Sequence, residues 1–222
     1  MTVTKASVPR LYVGTSGWSY PSWRPGFYPA AVKPADFLHY YSGRFSSVEL
    51  NTTGYRLPAE EQFRRWAGQT PSGFQFAVKL NAHQLRQAAT VDERVRLLGD
   101  RLGPIRVVVG SARDEGLLAL TLGSFDPDLR LAFDFRHDSW DGIEADLPPN
   151  AVRVGDYEGP AGFRYLRLRE PPYDDQALEE WAERIRTLLA EGLEVYCYLK
   201  HEEEPSAPHY AGRLSELVAT GG

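Results

Sequence analysis

The chain is poor in sulfur: its 222 residues include one cysteine, Cys197, and one methionine. A lone cysteine excludes an internal disulfide, and the opening MTVTKASVPR lacks the apolar stretch of a secretory signal. Both point to a cytoplasmic address. No stretch approaches the roughly 18–20 apolar residues that a membrane-spanning helix requires, so no membrane association is expected. There is no internal repeat, no low-complexity tract and no Gly/Pro/Ser-rich linker, and no glycine loop of the phosphate-cradling kind. With a net charge of -5 and a pI near 5.6, the chain lacks the positive field that would hold nucleic acid non-specifically. Nucleic acid is thus an unlikely partner, although a local arginine cluster remains able to hold phosphate.

What the sequence does have is alternation. In SVELN, Glu49 and Asn51 oppose Val48 and Leu50, and in FQFAVKL, Gln75 and Lys79 oppose Phe74, Phe76, Val78 and Leu80. Further along, Asp134 and Arg136 oppose Leu131, Phe133 and Phe135. Tyr165, Arg167 and Arg169 oppose Leu166 and Leu168, and Tyr196, Tyr198 and Lys200 oppose Val195, Cys197 and Leu199. A strand with one apolar and one polar face packs helices on the first and turns the second to a polar interior or water. Candidate strands lie at 11–15, 46–50, 74–80, 105–109, 130–135, 151–155, 163–169 and 194–199. Helical spacing marks 34–43, 59–68, 91–101, 113–122, 175–191 and 206–219, with Pro34 and Asp175 near two of the starts. Strands separated by single helices predict a parallel sheet, and eight of them predict an α/β fold of the TIM-like (β/α) barrel kind. The length suits a single domain over 1–222, with its core at about 11–217 and frayed ends at 1–9 and 219–222. The connection HDSWDGIEADLPPN is too rich in proline and acid for a long helix, so one barrel position is expected to be covered irregularly.

The stretches LYVGTSGWSYPSW, GFYP, SSVELN, GYRLP, TPSGFQFAVK, FDFRHDSW, YLRLR and VYCYL, in this order, resemble domain of unknown function family seventy-two, the YecE-like proteins. The resemblance runs from about Leu11 to Leu217 and implies a TIM-like barrel, with no established reaction. This chain departs from the pattern in four places. Gly54 stands where relatives usually carry an aromatic residue. Arg169 and Glu170 stand in place of a His-Gly pair, and Lys200 and His201 in place of an amide pair. VGSARDEG is shorter than the segment relatives carry after strand four.

On the residues themselves, Glu49, Lys79, Asp134 and Arg167 fall near the carboxyl ends of strands two, three, five and seven, where barrel enzymes place their chemistry. A carboxylate beside an ammonium can serve as a general base or acid, so Glu49, Lys79 and Asp134 are the candidate catalytic groups. Arg136, Arg167 and Arg169 offer planar forks for a carboxylate or phosphate, with Lys200 nearby. Trp18, Tyr20 and Trp140 are candidate stacking residues, and Asn51, Tyr55, Tyr196 and Tyr198 candidate hydrogen-bonding ones. The alternative for the charged set is a structural ion-pair network, and for the aromatics a plug bracing the first loop. The expectation is an enzyme using acid/base chemistry on a small polar or anionic substrate, with no cofactor. One rival is a metal-dependent phosphodiesterase or nuclease using His83, His137 or His201 with Glu49, Asp134 and Asp156. The other is a ligand-binding module without turnover. Cys197, on the helix-facing side of its strand, reads as a small buried hydrophobe.

Overall fold

A computed structural model of the chain describes residues 10–221. The fraying expected at 1–9 and at 222 lies outside the described residues, whereas 219 and 220 belong to the last helix. Eight strands are described: β1 (Leu11–Thr15), β2 (Ser47–Leu50), β3 (Gln75–Asn81), β4 (Leu102–Val109), β5 (Leu131–Phe135), β6 (Ala151–Arg153), β7 (Phe163–Leu168) and β8 (Glu194–Leu199). Six α-helices lie between and after them: α1 (Phe37–Ser42), α2 (Glu60–Gln69), α3 (Ala88–Arg96), α4 (Glu115–Gly123), α5 (Asp175–Ala190) and α6 (Ser206–Thr220). The acid- and proline-rich β5–β6 connection forms only short 3-10 turns, Asp138–Trp140 and Ile143–Asp146, as its composition predicts.

The helices form where an apolar stripe meets a cap. In α5, Leu178, Ala182, Ile185 and Leu188 recur at helical spacing and are buried, and the Asp174 carboxylate accepts the Ala177 amide at 2.8 Å. Asp114 caps α4 in the same way, accepting from the Leu117 amide at 3.0 Å. Such caps are worth about 1 kcal/mol each.

All strand pairs are parallel, and their ladders make two sheets: β1-β8-β7 and β2-β3-β4-β5-β6. The parallel α/β fold is as expected, while the eight strands do not join in one closed ladder. At one seam, β1 and β2 share a single bridge, Ser16 to Glu49, and are otherwise joined by side chains: the Val13 amide donates to Ser46 Oγ at 3.1 Å and the Thr15 amide to the Tyr41 hydroxyl at 2.7 Å. Gly14 lies so close to the Ser47 carbonyl that a β-carbon there would overlap it. At the other seam β6 has only three residues, and the β6–β7 contact comes down to the Gly155 amide donating to the Tyr165 carbonyl at 2.9 Å.

The alternation read from the sequence sorts the buried side chains into two layers. Val48, Phe76, Val107, Phe133, Leu166 and Cys197 pack outward against Phe63, Ile185 and Leu214 of the helices. Tyr12, Ala77, Ala132, Val152, Phe163, Tyr165, Tyr196 and Tyr198 form a separate inner cluster. Its small alanines face its large tyrosines, which is how a confined interior is filled without voids. Among the described residues no helix is long and apolar enough to cross a membrane.

Candidate functional site

Above the inner cluster, toward the carboxyl ends of the strands, the polar faces meet. Arg106 of β4 is the centre: its Nη1 donates to Glu49 Oε1 at 3.1 Å, its Nε donates to Asp134 Oδ2 at 2.9 Å, and its Nη2 also donates to Asp134. Glu49 is fully buried. Its Oε1 takes a second guanidinium from Arg167 at 3.1 Å, and its Oε2 accepts the Tyr165 hydroxyl at 2.7 Å. Asp134 Oδ2 also accepts from Arg169 at 2.7 Å and Arg136 at 2.9 Å. Five cationic side chains, Arg106, Arg136, Arg167, Arg169 and Lys79, thus gather about two carboxylates. Asp156, after β6, adds a third acid at this end, but its Oδ1 accepts amides of its own turn.

The electrostatics follow from this imbalance. Burial alone would raise the Glu49 carboxyl, but the Arg106 and Arg167 guanidiniums and the Tyr165 hydroxyl outweigh it and hold it below its ordinary value. Asp134 is held low in the same manner by Arg106 and Arg169 against burial. Both are therefore ionised at neutral pH, Glu49 with both oxygens engaged and Asp134 through Oδ2. Glu49, expected as a general base, instead fixes two arginines and a tyrosine in place, and Asp134 fixes three arginines.

Lys79 differs. It makes no ion pair among the described residues, its ammonium lies 4.8 Å from the centre of the Tyr55 ring, and Arg106 is its register partner on the next strand. Burial lowers its pKa, and Arg106, Arg167 and Arg136 lower it further against the pull of Glu49. Its stem runs under Gly54, where a β-carbon would come within 3.1 Å of Lys79 Cδ and Cε. A side chain at position 54 would crowd that stem, so Gly54 gives the lysine room.

The rim carries Tyr20 and His201, whose rings stack with centroids 4.6 Å apart. The Tyr20 hydroxyl donates to the Ser16 carbonyl at 2.8 Å, and burial with nearby Glu49 pushes its pKa up to about 12 against the Asn51 hydrogen bond. His201 Nδ1 lies 3.2 Å from Ser16 Oγ. Burial, Arg167 and Lys200 lower its pKa, so the ring is neutral at pH 7. Trp18, Tyr20 and Asn51 also line a cavity of about 560 Å³ against Leu38 and Trp66. Tyr55 is 78% exposed, and Lys200 stands exposed at the end of β8.

Three expected residues lie elsewhere. Tyr196 sits at the amino ends of the strands and accepts from Arg130 Nη1 at 2.6 Å. Tyr198 is fully buried below the charged layer, hydrogen-bonded to the Ser47 hydroxyl. Trp140 is fully buried, stacked on Phe135 at 4.2 Å and donating to the Ser111 carbonyl, because its connection folds back over the outer face of β5. Among the loop aromatics, Trp23 and Tyr28 are fully buried and brace the segment, as the structural alternative has it. His137 Nδ1 accepts the Ser139 amide, and among the described residues no three His, Cys, Asp or Glu side chains converge as metal ligands.

The sequence reading missed Arg106. The signal was present in IRVVV, where Ile105, Val107 and Val109 point outward and Arg106 must point inward.

An α/β protein of parallel strands with a cation-rich cluster of side chains at their carboxyl ends is the class that fold and site define. The chain belongs to the family described as "Protein of unknown function DUF72", whose profile matches residues 12–148 and 143–222. UPF0759 protein YecE of Escherichia coli K12 is 35% identical over 103 residues, 45% of this chain and 35% of that protein. UPF0759 protein YunF of Bacillus subtilis is 32% identical over 69 residues, 31% of this chain and 23% of that protein. These matches span about a third or less of the relatives' lengths. Among solved structures, a DUF72 family protein of Enterococcus faecalis superposes with a TM-score of 0.80 at 15% identity, covering 94% of this chain and 95% of its own. One of Thermotoga maritima gives 0.71 at 21%, covering 95% and 99%. Identities this low speak to the fold alone.

Proposed function

We propose that this chain is an enzyme that binds a small anionic molecule at the carboxyl ends of its strands and acts on it by acid/base chemistry, the eight strands working together as one TIM-like barrel domain. The barrel reading is supported by contacts between the sheets: Glu49 of β2 meets Tyr165 and Arg167 of β7, and Ser47 of β2 meets Tyr198 of β8. The anion reading rests on one observation, the surplus of cations over carboxylates in the network, where Arg106 is buried and Arg167 nearly so against Glu49 and Asp134 and the extra cations Arg136, Arg169 and Lys79 reach toward solvent. Desolvating an ion costs several kcal/mol before pairing, so a network serving stability alone would balance its charges. Here it does not, and the Arg169 Nε–H is buried with no acceptor among the described residues. A phosphate or carboxylate placed among Arg136, Arg167, Arg169 and Lys79 would supply the missing negative charge through forked, charge-assisted bonds.

In this reading Glu49 and Asp134 are positioning residues that hold the arginine forks. Lys79, with its lowered pKa, is the proton donor, and neutral His201 is the base at the rim. Calorimetric titration with inorganic phosphate and small dicarboxylates tests the binding step. Micromolar to millimolar affinity that weakens steeply with salt and is lost in Arg167→Leu is expected; salt-independent or absent binding rejects the reading.

A binding module without turnover is the second reading, favoured by the arginine and tyrosine bonds that tie both Glu49 oxygens and Asp134 Oδ2 to positioning. Its mark is an anion that binds tightly and is recovered unchanged from the protein after long incubation.

A further inference from the structure

The cavity beside the charged network has a chemistry of its own. Its floor and wall are apolar and flat: Trp18 meets Trp66 edge to face at 5.8 Å, with Leu38 behind them. Its polar lining joins three carboxamides, Asn51, Gln62 and Gln69, to the hydroxyl-bearing Ser19, Tyr20 and Thr52. The one charged lining residue, Arg65, is exposed and turns its guanidinium onto Gln62 Oε1. At about 560 Å³ it falls within the roughly 300–1,000 Å³ of small-molecule sites.

These features select among neutral groups. A carboxamide offers a donor and an acceptor side by side, which matches a hydroxyl that donates and accepts at once, and matches two neighbouring hydroxyls better still. An indole face offers a broad apolar platform. A molecule with an apolar flat face and an edge ringed by hydroxyls is a sugar. The cavity lies beside the charged network, with Asn51 and Tyr20 on the side nearest to it. Asn51 follows Glu49 by two residues on the same chain face, and the Tyr20 hydroxyl beside it feels the fields of Glu49 and Arg167.

We propose that the anionic ligand is a sugar derivative, its pyranose or furanose ring packed on Trp18 and Trp66, its hydroxyls on Asn51, Gln62 and Gln69, and its phosphate or carboxylate on Arg167 and Lys79. The proposal rests on the anion reading above and goes further by naming what carries the charge. Tyr20 stands between the two halves of the ligand, so the ring and its anion would straddle a single phenol.

The test separates the two ideas. Calorimetry compares hexose and pentose phosphates with inorganic phosphate, and hexuronates with acetate, on the full-length protein. At least one sugar anion is expected to bind tenfold or more tightly than its bare anion. Trp18→Ala and, as a gentler surface variant, Gln62→Leu should bring that ratio toward one while leaving inorganic phosphate binding unchanged. Arg167→Leu should weaken the sugar anion and bare anion alike. If phosphate binds but no sugar anion surpasses it, or if phenyl phosphate equals the best sugar phosphate, the sugar proposal fails and the anion reading stands. If neither phosphate nor any sugar anion binds, both fail.

Discussion

The two ends of the strand bundle both gather arginine, and they do so on opposite terms. At the amino ends a cavity of about 500 Å³ is lined by Arg96 and Arg130 together with Asp100, Asp128 and Glu194. Arg96 bonds Asp126 and Asp128, and Arg130 bonds Glu194 and the Tyr196 hydroxyl. Every cation there has its acid, and the acids are the majority. At the carboxyl ends Arg106, Arg136, Arg167, Arg169 and Lys79 share Glu49 and Asp134. A balanced end is finished by folding; an unbalanced one is organised for a charge that the chain does not itself contain. The central arginines also differ in exposure, the Arg130 side chain being 42% exposed and that of Arg106 only 2%, although Arg136 at the carboxyl-end rim is 41% exposed.

The sharpest way to break this contrast is to remove one arginine from each end. Arg106→Leu takes the most deeply buried cation from two buried carboxylates and is expected to cost about 3 kcal/mol in urea unfolding, the lower end of the usual penalty for breaking a buried pair from one side, because Arg167 and Arg169 remain. Arg130→Leu, in a half-solvated pair, should cost about 1 kcal/mol or less. Equal losses would erase the distinction between the ends.

Arg136→Ala tests surplus against support. Asp134 keeps Arg106 and Arg169, so stability should change by no more than about 1 kcal/mol. Affinity for inorganic phosphate should fall about tenfold or more, in keeping with the roughly 1.5–3 kcal/mol of a charge-assisted hydrogen bond. A large loss of stability without loss of binding would make Arg136 structural.

Titration gives a subtler contrast. Glu49 and Asp134 have folded pKa values below their unfolded ones, so their stabilisation is present above the unfolded carboxylate range and is lost as pH falls through the folded values. Acid unfolding should therefore begin below the ordinary carboxylate range, and Glu49→Gln should lower the stability plateau and flatten that acid limb. For Lys79 the folded pKa is lowered, so the unfolded chain binds the extra proton and stability rises with pH between the folded value and 10.5. Over the same window the ammonium discharges, and anion affinity should decline before pH 10.5 is reached. Lys79→Gln should remove that alkaline decline, and its persistence would assign the titration to another group.

The smallest expected effect is that of Gly54→Ala. A methyl 3.1 Å from the Lys79 stem must displace it by a few tenths of an ångström. Stability should move by under about 1 kcal/mol, with a two- to threefold change in phosphate affinity as the lysine shifts. An unchanged affinity would show that the stem position does not govern binding.

How much of this was legible in the chain depends on which coordinate is asked for. Period-two alternation gives the face of a strand residue, and it placed Glu49, Lys79, Asp134, Arg167 and Arg169 on the inner side correctly. It does not give height along the strand. That is why Tyr196, two residues into β8, was grouped with a site at the other end, while Tyr198 two residues on lies midway. Trp140 escaped because it sits in an irregular connection, where periodicity carries no directional information. Arg106 was readable but is masked by its valine-rich company, and the two-sheet division was not readable at all. It depends on the Gly14 approach to Ser47 and on how short β6 is, neither of which leaves a trace in hydropathy.

The choice of arginine for the central bridge has a consequence for regulation. A histidine at that position would let the link between β2 and β5 dissolve in mild alkali, and a lysine would touch each carboxylate at one point only. The Arg106 guanidinium, with its pKa raised further because Glu49 and Asp134 outweigh its burial, never discharges under conditions in which the fold survives. The bridge is thus a fixed charge, and at pH values above the acid limb set by Glu49 and Asp134 any responsiveness of this site has to be written in the two groups set against it, Lys79 and His201.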